Sequence, residues 1–240
     1  MLERDTRTAM LIGEAALSKL KASRVAVFGV GGVGGHAVDA LARAGVGALD
    51  LFDNDTVSET NRNRQIIALC STVGQYKTDA AAARAKDINP DVKIEARHLF
   101  FMPDNASEVD FSAYDYVIDA IDTVAAKMEL IRRCKAAGVP IICSLGTGNK
   151  LNPMGFRVSD IEKTSVCPLA RTIRTLCRKE GIKKVKVVWS AEQPIKATLP
   201  AEHGRHAPGS ISFVPAAAGL CIASEVVKDL LKGSAALKES

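Results

Sequence analysis

Short apolar runs alternate with longer amphipathic ones over the first 150 residues. Residues 9–22 (AMLIGEAALSKLKA) place apolar side chains at helical spacing, and 24–30 (RVAVFGV) is a continuous apolar run ending in glycine, the pattern of a strand buried on both faces. Residues 34–45 then read as a helix stopped at Gly45, 48–52 (ALDLF) as a second strand, and 75–87 as a helix ended by Asn89–Pro90. A third strand is expected over 92–98, a fourth over 115–121 (DYVIDAI), a helix over 123–138 stopped by Gly138, and a strand over 140–144 (PIICS). Strands and helices in this alternation predict an α/β fold: a doubly wound, mostly parallel, Rossmann-like sheet with right-handed crossovers.

Beyond about residue 150 the rhythm loosens. Strands are expected over 155–161 and 185–189, an amphipathic basic helix over 168–180, a Pro-, His- and Gly-rich loop over 192–212, and a final helix over 216–232 opened by Pro215 and stopped by Gly233. This tail has few apolar residues for a core of its own. The expectation is therefore one domain, 1–240, with a nucleotide-binding half (1–150) and a C-terminal substrate-side elaboration of the same sheet (151–240).

Composition narrows this picture only a little. Apolar residues make up 47% of the 240-residue chain, enough for a substantial core, and the net charge of +5 does not by itself call for nucleic acid. Glu3, Arg4, Asp5 and Arg7 interrupt the start, and no run reaches the roughly 18 apolar residues that span a bilayer. A cytoplasmic protein with no membrane partner is expected. The six cysteines (70, 134, 143, 167, 177, 221) form no CxxC pair, so neither disulfides nor a paired-cysteine zinc site is expected.

The candidate chemistry begins at the end of the first strand. Gly29, Gly31 and Gly34, with Gly32 between, match G-x-G-x-x-G in the strand-to-helix context that motif requires. The first glycine permits the tight turn, the second lets backbone approach phosphate, and the third allows close helix–strand packing, with helix N–H groups facing the anion. Asp53, at the end of the second strand, suits ribose hydroxyls; Asp55 is either a second acceptor or a turn residue. The motif alone does not separate NAD, FAD and ATP.

Residues 53–65, DNDTVSETNRNRQ, add Arg62 and Arg64 just downstream. A hydride carrier needs no such cations beyond its glycine loop, whereas a triphosphate carries about four negative charges and its cleavage depends on pre-placed cations and a metal. Arg64 and Lys77 would supply the cations, and Asp122, just past YVIDAI, would hold magnesium through oxygen.

GVGGVGG, DNDTVSETNRNRQ, VGQYKTDAAAARAKDINP and DAIDT, in this order over residues 4–150, resemble the ubiquitin-activating-enzyme-like adenylating family, which includes sulfur-carrier adenylyltransferases. The resemblance implies ATP and Mg2+ as cofactors, ribose contact by Asp53, phosphate contacts by Asn61, Arg64 and Lys77, and metal binding by Asp122. It also implies a homodimer in which Arg7, in RDTRTAM, reaches the nucleotide of the other subunit. The missing CxxC pairs and the tail segments KTSVCPLARTIR and PGSISFVPAAAG resemble a branch that acts on tRNA. That branch implies ATP-dependent cyclisation of N6-threonylcarbamoyladenosine at position 37, by adenylation of the side-chain carboxylate and ring closure. The alternative within the family is adenylation of the C-terminal glycine of a ubiquitin-like sulfur carrier. A monovalent cation and sulfur-transfer proteins are candidate further partners. A nicotinamide oxidoreductase and a non-catalytic nucleotide-binding scaffold are rivals that Arg64, Lys77 and Asp122 disfavour.

On the tRNA side, Arg171, Arg174 and Arg178 share one face of the basic helix at i, i+3, i+7, followed by Lys179, Lys183, Lys184 and Lys186. Such a stripe is either a solvated face or a set of phosphate contacts. Trp189 either stacks a base or packs in the core. Cys167, before Pro168, is either an idle thiol or stands where ubiquitin-activating enzymes place a nucleophile. The other five cysteines are expected in the core, His36 and His98 are expected to be structural, and His203 and His206 are expected in a solvated loop.

Overall fold

The computed structural model describes residues 3–196 and 208–234. Its seven strands form one sheet in the order β3-β2-β1-β4-β5-β7-β6. They are β1 (Arg24–Phe28), β2 (Ala48–Phe52), β3 (Lys93–Arg97), β4 (Tyr116–Asp119), β5 (Ile141–Ser144), β6 (Phe156–Asp160) and β7 (Lys186–Ser190). All neighbours are parallel except β6, which closes the sheet antiparallel to β7. The expected elaboration beyond residue 150 thus adds two strands to the nucleotide half's own sheet.

The chain builds outward from β1 through β2 to β3, then crosses back to β4 on the other side of β1. Phe28 pairs with Phe52 on one flank and Asp119 on the other, so the carboxyl ends of β1, β2 and β4 are level. A crevice at such a reversal of strand order is where open α/β sheets bind ligands.

Among the described residues seven α-helices cover the sheet: α1 (Thr6–Ile12), α2 (Glu14–Ala22), α3 (Gly34–Ala44), α4 (Lys77–Ile88), α5 (Val124–Ala137), α6 (Pro168–Lys179) and α7 (Phe213–Leu230). Val25 and Val27 point to a core shared with Leu20, Leu41, Ala85 and Val226 from α2, α3, α4 and α7. The alternate residues Ala26 and Phe28 point to a second core with Phe52, Leu130, Ile131 and Ile173. α7 returns from the end of the chain to lie on α3. Gly219 permits this, since a Cβ there would stand 2.4 Å from the Val33 carbonyl oxygen.

Two expectations need correction. The helix expected over 9–22 is broken at Gly13, whose φ of 81° is left-handed, into α1 and α2. The strand expected to reach residue 121 ends at Asp119, because Ala120 and Ile121 turn away to pass beside Gly29.

Candidate nucleotide site at the carboxyl edge of the sheet

The glycine turn is made by close approach. Gly29 has φ +86°, and a Cβ there would stand 2.7 Å from the Ala120 carbonyl oxygen; one on Gly34 would stand 1.8 Å from that of Gly29. No side chain fits at either position. Gly31 is different: a Cβ there would meet nothing nearer than Gln65 Nε2 at 3.7 Å. Backbone is thus left open at the start of α3, where helix N–H groups can meet an anion. Gly32 lies against Pro215 of α7 and the Arg64 side chain.

Asp53 ties this turn to the end of β2. Its Oδ2 accepts from the Val30 N–H (2.8 Å) and its Oδ1 from the Asp55 N–H (2.9 Å). A carboxylate offers about four lone-pair sites, so acceptor capacity for ribose hydroxyls remains. Asp55 in turn receives the Lys77 ammonium at 2.5 Å, and its carbonyl accepts the Lys77 N–H. Lys77 is buried at the first position of α4, while the Asp55 carboxylate is mostly exposed.

The segment 58–65 is folded by local hydrogen bonds. Asn61 is buried and its Oδ1 accepts the Ser58 N–H, which leaves the amide nitrogen as its donor. Arg64 donates through Nη1 to the Thr60 carbonyl and to Asn63 Oδ1, both 2.9 Å, with its stem against Gly32. Asn63 also donates to the Ser210 carbonyl, which ties the segment to the approach of α7. Arg62 turns away to pair with Glu59.

Asp122 stands exposed in the Ala120–Thr123 turn between β4 and α5, held only by a long contact from Thr123 Oγ1 (3.4 Å). Among the described residues no group of three His, Cys, Asp or Glu side chains could hold a metal. A lone carboxylate beside a phosphate site fits magnesium, which binds through one or two carboxylates, substrate phosphates and waters, and does not fit zinc.

The structure therefore gathers the glycine turn, Asp53, Asp55, Arg64 and Lys77 with the turn that bears Asp122. Arg7 is not among them within one chain. It is exposed on α1, which is held near the amino ends of the strands by the Arg4–Asp91 and Lys21–Asp5 pairs.

Three groups escaped sequence reading. Gln65 is buried beside Gly31 with Oε1 unpartnered. Lys127 is fully buried against Asp119. Lys150 is buried and donates to the carbonyls of Glu192 and Ser190; burial pushes its ammonium below the ordinary lysine range. Only the acid ending β4 gave any signal, and each lysine reads locally as a surface residue.

The basic helix is less free than its spacing implies. Arg174 is spent on Thr164, donating to its carbonyl (2.8 Å) and hydroxyl (2.6 Å), and Arg178 pairs with Glu162. Lys186 is held by Asp229 and Glu225. Arg171, Lys179, Lys183 and Lys184 stay exposed, but at opposite ends of α6: its 12 residues span about 18 Å, and the lysines lie toward the amino edge of the sheet.

Trp189 is buried, with Nε1 donating to Ser159 Oγ, so its packing role prevails. Cys70, expected in the core, is exposed in the crossover before α4. Cys167 is buried at the N-cap of α6; burial pushes Cys134 up to about 12 and Cys177 up to about 11. His36 Nδ1 meets the Gly32 carbonyl at 2.8 Å, and exposed His98 stacks on Tyr76 and meets Asp79. His203 and His206 lie outside the described residues.

The ThiF family model matches residues 3–239. The chain is 44% identical, over 251 residues covering 97% of it and 96% of the relative, to a tRNA threonylcarbamoyladenosine dehydratase of Bacillus subtilis (strain 168). The crystal structure of E. coli tRNA N6-threonylcarbamoyladenosine dehydratase in complex with AMP superposes with a TM-score of 0.88 at 35% identity, covering 95% of this chain and 94% of that one. The same E. coli enzyme in complex with ATP superposes with a TM-score of 0.87 at 35% identity, with the same coverage.

Proposed function

The chain belongs to the ThiF family, and from that premise we propose that it uses ATP to cyclise N6-threonylcarbamoyladenosine at position 37 of tRNA. The observation that carries the reading is a site built for a nucleoside triphosphate in a chain that matches such a dehydratase over nearly its whole length. Family relatives of like extent, crystallised with AMP and with ATP, support it.

The chemistry follows from what a carboxylate lacks. Its oxygen is a poor leaving group, so the acid must first become a mixed anhydride. The threonyl carboxylate attacks the α-phosphorus of ATP, an acyl adenylate forms and pyrophosphate leaves. A nitrogen of the same side chain then attacks the activated carbonyl and expels AMP. The net change in the nucleoside is loss of one water. The second step is intramolecular, and orientation alone lowers such barriers by up to about 7–11 kcal/mol.

On this reading Asp53 orients the ribose, and the open backbone at Gly31 faces phosphate. Asn61, Arg64 and Lys77 meet the charge that develops on the departing pyrophosphate. Magnesium, which Asp122 would hold, would supply further charge neutralisation on the phosphates. Arg64 needs no large movement, since it already lies on the glycine turn. Lys77 needs only to exchange Asp55 for phosphate.

The reading extends to assembly and setting. Arg7 lies on α1, tied near the amino ends of the strands, whereas the glycine turn lies at their carboxyl edge; this placement supports a homodimer in which each Arg7 completes the other subunit's site. Arg171 and the lysines beyond α6 would meet tRNA phosphates. Among the described residues no helix is long and apolar enough to cross a membrane. We place the protein in the cytoplasm, and a monovalent cation and sulfur-transfer proteins remain part of the proposal. Adenylation of a sulfur-carrier glycine is less favoured, because the relative that spans the chain end to end is named a tRNA dehydratase and the chain has no CxxC pair.

Mass spectrometry of nucleosides tests this directly. Purified protein, ATP, Mg2+ and tRNA bearing threonylcarbamoyladenosine should yield a nucleoside lighter by one water, with AMP and pyrophosphate in equal amounts. Unchanged nucleoside, or AMP formation only with a carrier protein, overturns the proposal. Arg7→Ala and Asp122→Ala subunits, each inactive alone, should regain activity when mixed if Arg7 acts across a dimer.

A further inference from the structure

One charged pair near the site has no place in the mechanism above. Asp119 and Lys127 are both fully buried. Lys127 Nζ donates to both Asp119 oxygens (2.9 Å each) and to the Ser144 carbonyl (2.8 Å), so all three ammonium protons are used. Asp119 Oδ1 also accepts the Ile121 N–H at 3.2 Å. The pair thus joins the carboxyl ends of β4 and β5, the first turns of α5, and the backbone of the turn after β4.

A buried ion pair is a weak source of stability, since apolar residues of similar volume often serve as well or better. Geometry explains its presence more readily. The Ala120–Thr123 turn is gripped on two sides. On one side its Ala120 carbonyl leans on Gly29, so closely that no Cβ fits there. On the other, Asp119 holds the Ile121 N–H, and Lys127 holds Asp119. The Asp122 carboxylate has no firm hydrogen bond of its own, so the backbone of this turn sets its position.

We infer that the Asp119–Lys127 pair is a positioning device: it fixes the Ala120–Thr123 turn so that Asp122 faces the phosphates of the bound nucleotide in one orientation. The inference rests on the reading of Asp122 as the metal-facing carboxylate. Neither Asp119 nor Lys127 touches substrate.

The test removes the pair without leaving a lone buried charge. Asp119→Leu/Lys127→Met should fold, with a melting temperature near that of the wild type. Binding of ATP in the presence of EDTA should be unchanged, because the glycine turn, Asp53 and Lys77 are untouched. Titration calorimetry should show the Mg2+ enhancement of ATP binding weakened about tenfold, the scale of losses seen when groups behind a metal ligand are removed. Turnover should fall, and the KM for ATP measured with Mg2+ should rise in step with the weakened enhancement. If the double variant does not fold, Asp119→Asn, which keeps volume and loses charge, carries the same readouts in smaller measure. A folded variant of either kind with wild-type Mg2+ enhancement and turnover overturns the inference. Asp122→Ala separates the premises: if it leaves Mg2+ enhancement intact, the reading of Asp122 fails; if it abolishes the enhancement while the pair's variants do not reduce it, only the positioning role fails.

Discussion

At the amino edge of the sheet, Asp229 of α7 accepts the Tyr116 hydroxyl at 2.7 Å and pairs with Lys186 and Lys232. Nearby, Arg24 clasps Asp50 with two hydrogen bonds, and Tyr114 donates to the same carboxylate. At the carboxyl edge, Asp122 has one long contact, Arg64 bonds only to neutral groups, and Lys77 is paired with a largely exposed carboxylate. The carboxylates named at the first edge are closed on their partners and join distant parts of the chain. Asp122, Arg64 and Lys77 at the second are placed but left with capacity, which a binding site requires and a scaffold does not. The contrast also separates substitutions that should affect chemistry from those that should affect folding.

The largest expected effect is at the carboxyl edge. Asp122→Ala or Arg64→Ala should lower turnover by about 10²–10³-fold, as loss of one transition-state contact commonly does, with the thermal midpoint unchanged. A matching loss of stability would break the contrast. At the amino edge, Asp229→Ala should cost about 2 kcal/mol in urea unfolding, since it strands the Tyr116 hydroxyl and leaves the Lys186 ammonium with Glu225 alone, yet turnover per folded molecule should hold. Low activity in fully folded Asp229→Ala protein would show that the two edges are coupled through α7.

Two smaller effects sharpen the comparison. Arg171→Glu should weaken tRNA binding and reduce its salt dependence by about one charge, whereas Arg178→Glu should do less, because Arg178 is already engaged by Glu162. Filter binding over a salt series distinguishes them. Acid should act first on the amino edge. Burial opposes ionisation of Asp229, but hydrogen bonds from Lys186, Lys232 and Tyr116 outweigh it and hold the carboxyl below the ordinary range. Its stabilising contribution is therefore complete above the unfolded value of about 4 and is lost as pH falls through the lower folded one. Wild type should lose stability below about pH 4 more steeply than Asp229→Asn in acid titration followed by circular dichroism.

The order of strands and helices, the glycine turn, and the gathering of Asp53, Arg64, Lys77 and Asp122 around it were all legible along the chain. Apolar periodicity, the strand–glycine–helix context and the acids at strand ends are local patterns within a few residues of one another. Less legible was anything that depends on a partner far away in sequence. Arg174 and Arg178 look free on a helical wheel, but the segment at 162–164 folds against that face and takes them. Cys70 looks apolar in IIALCST, yet it lies on the outside of a crossover.

By itself, then, the sequence determined which stretches become strands, where backbone must turn without a side chain, and which charged residues follow the strands that end in the crevice. Tertiary structure decided which of those charges are available. Lys127 sits in VAAKMEL like any surface lysine, and only the packing of α5 against β4 and β5 carries it onto Asp119. Burial and ion pairing are set by neighbours in space, and a one-dimensional pattern reports neighbours only along the chain.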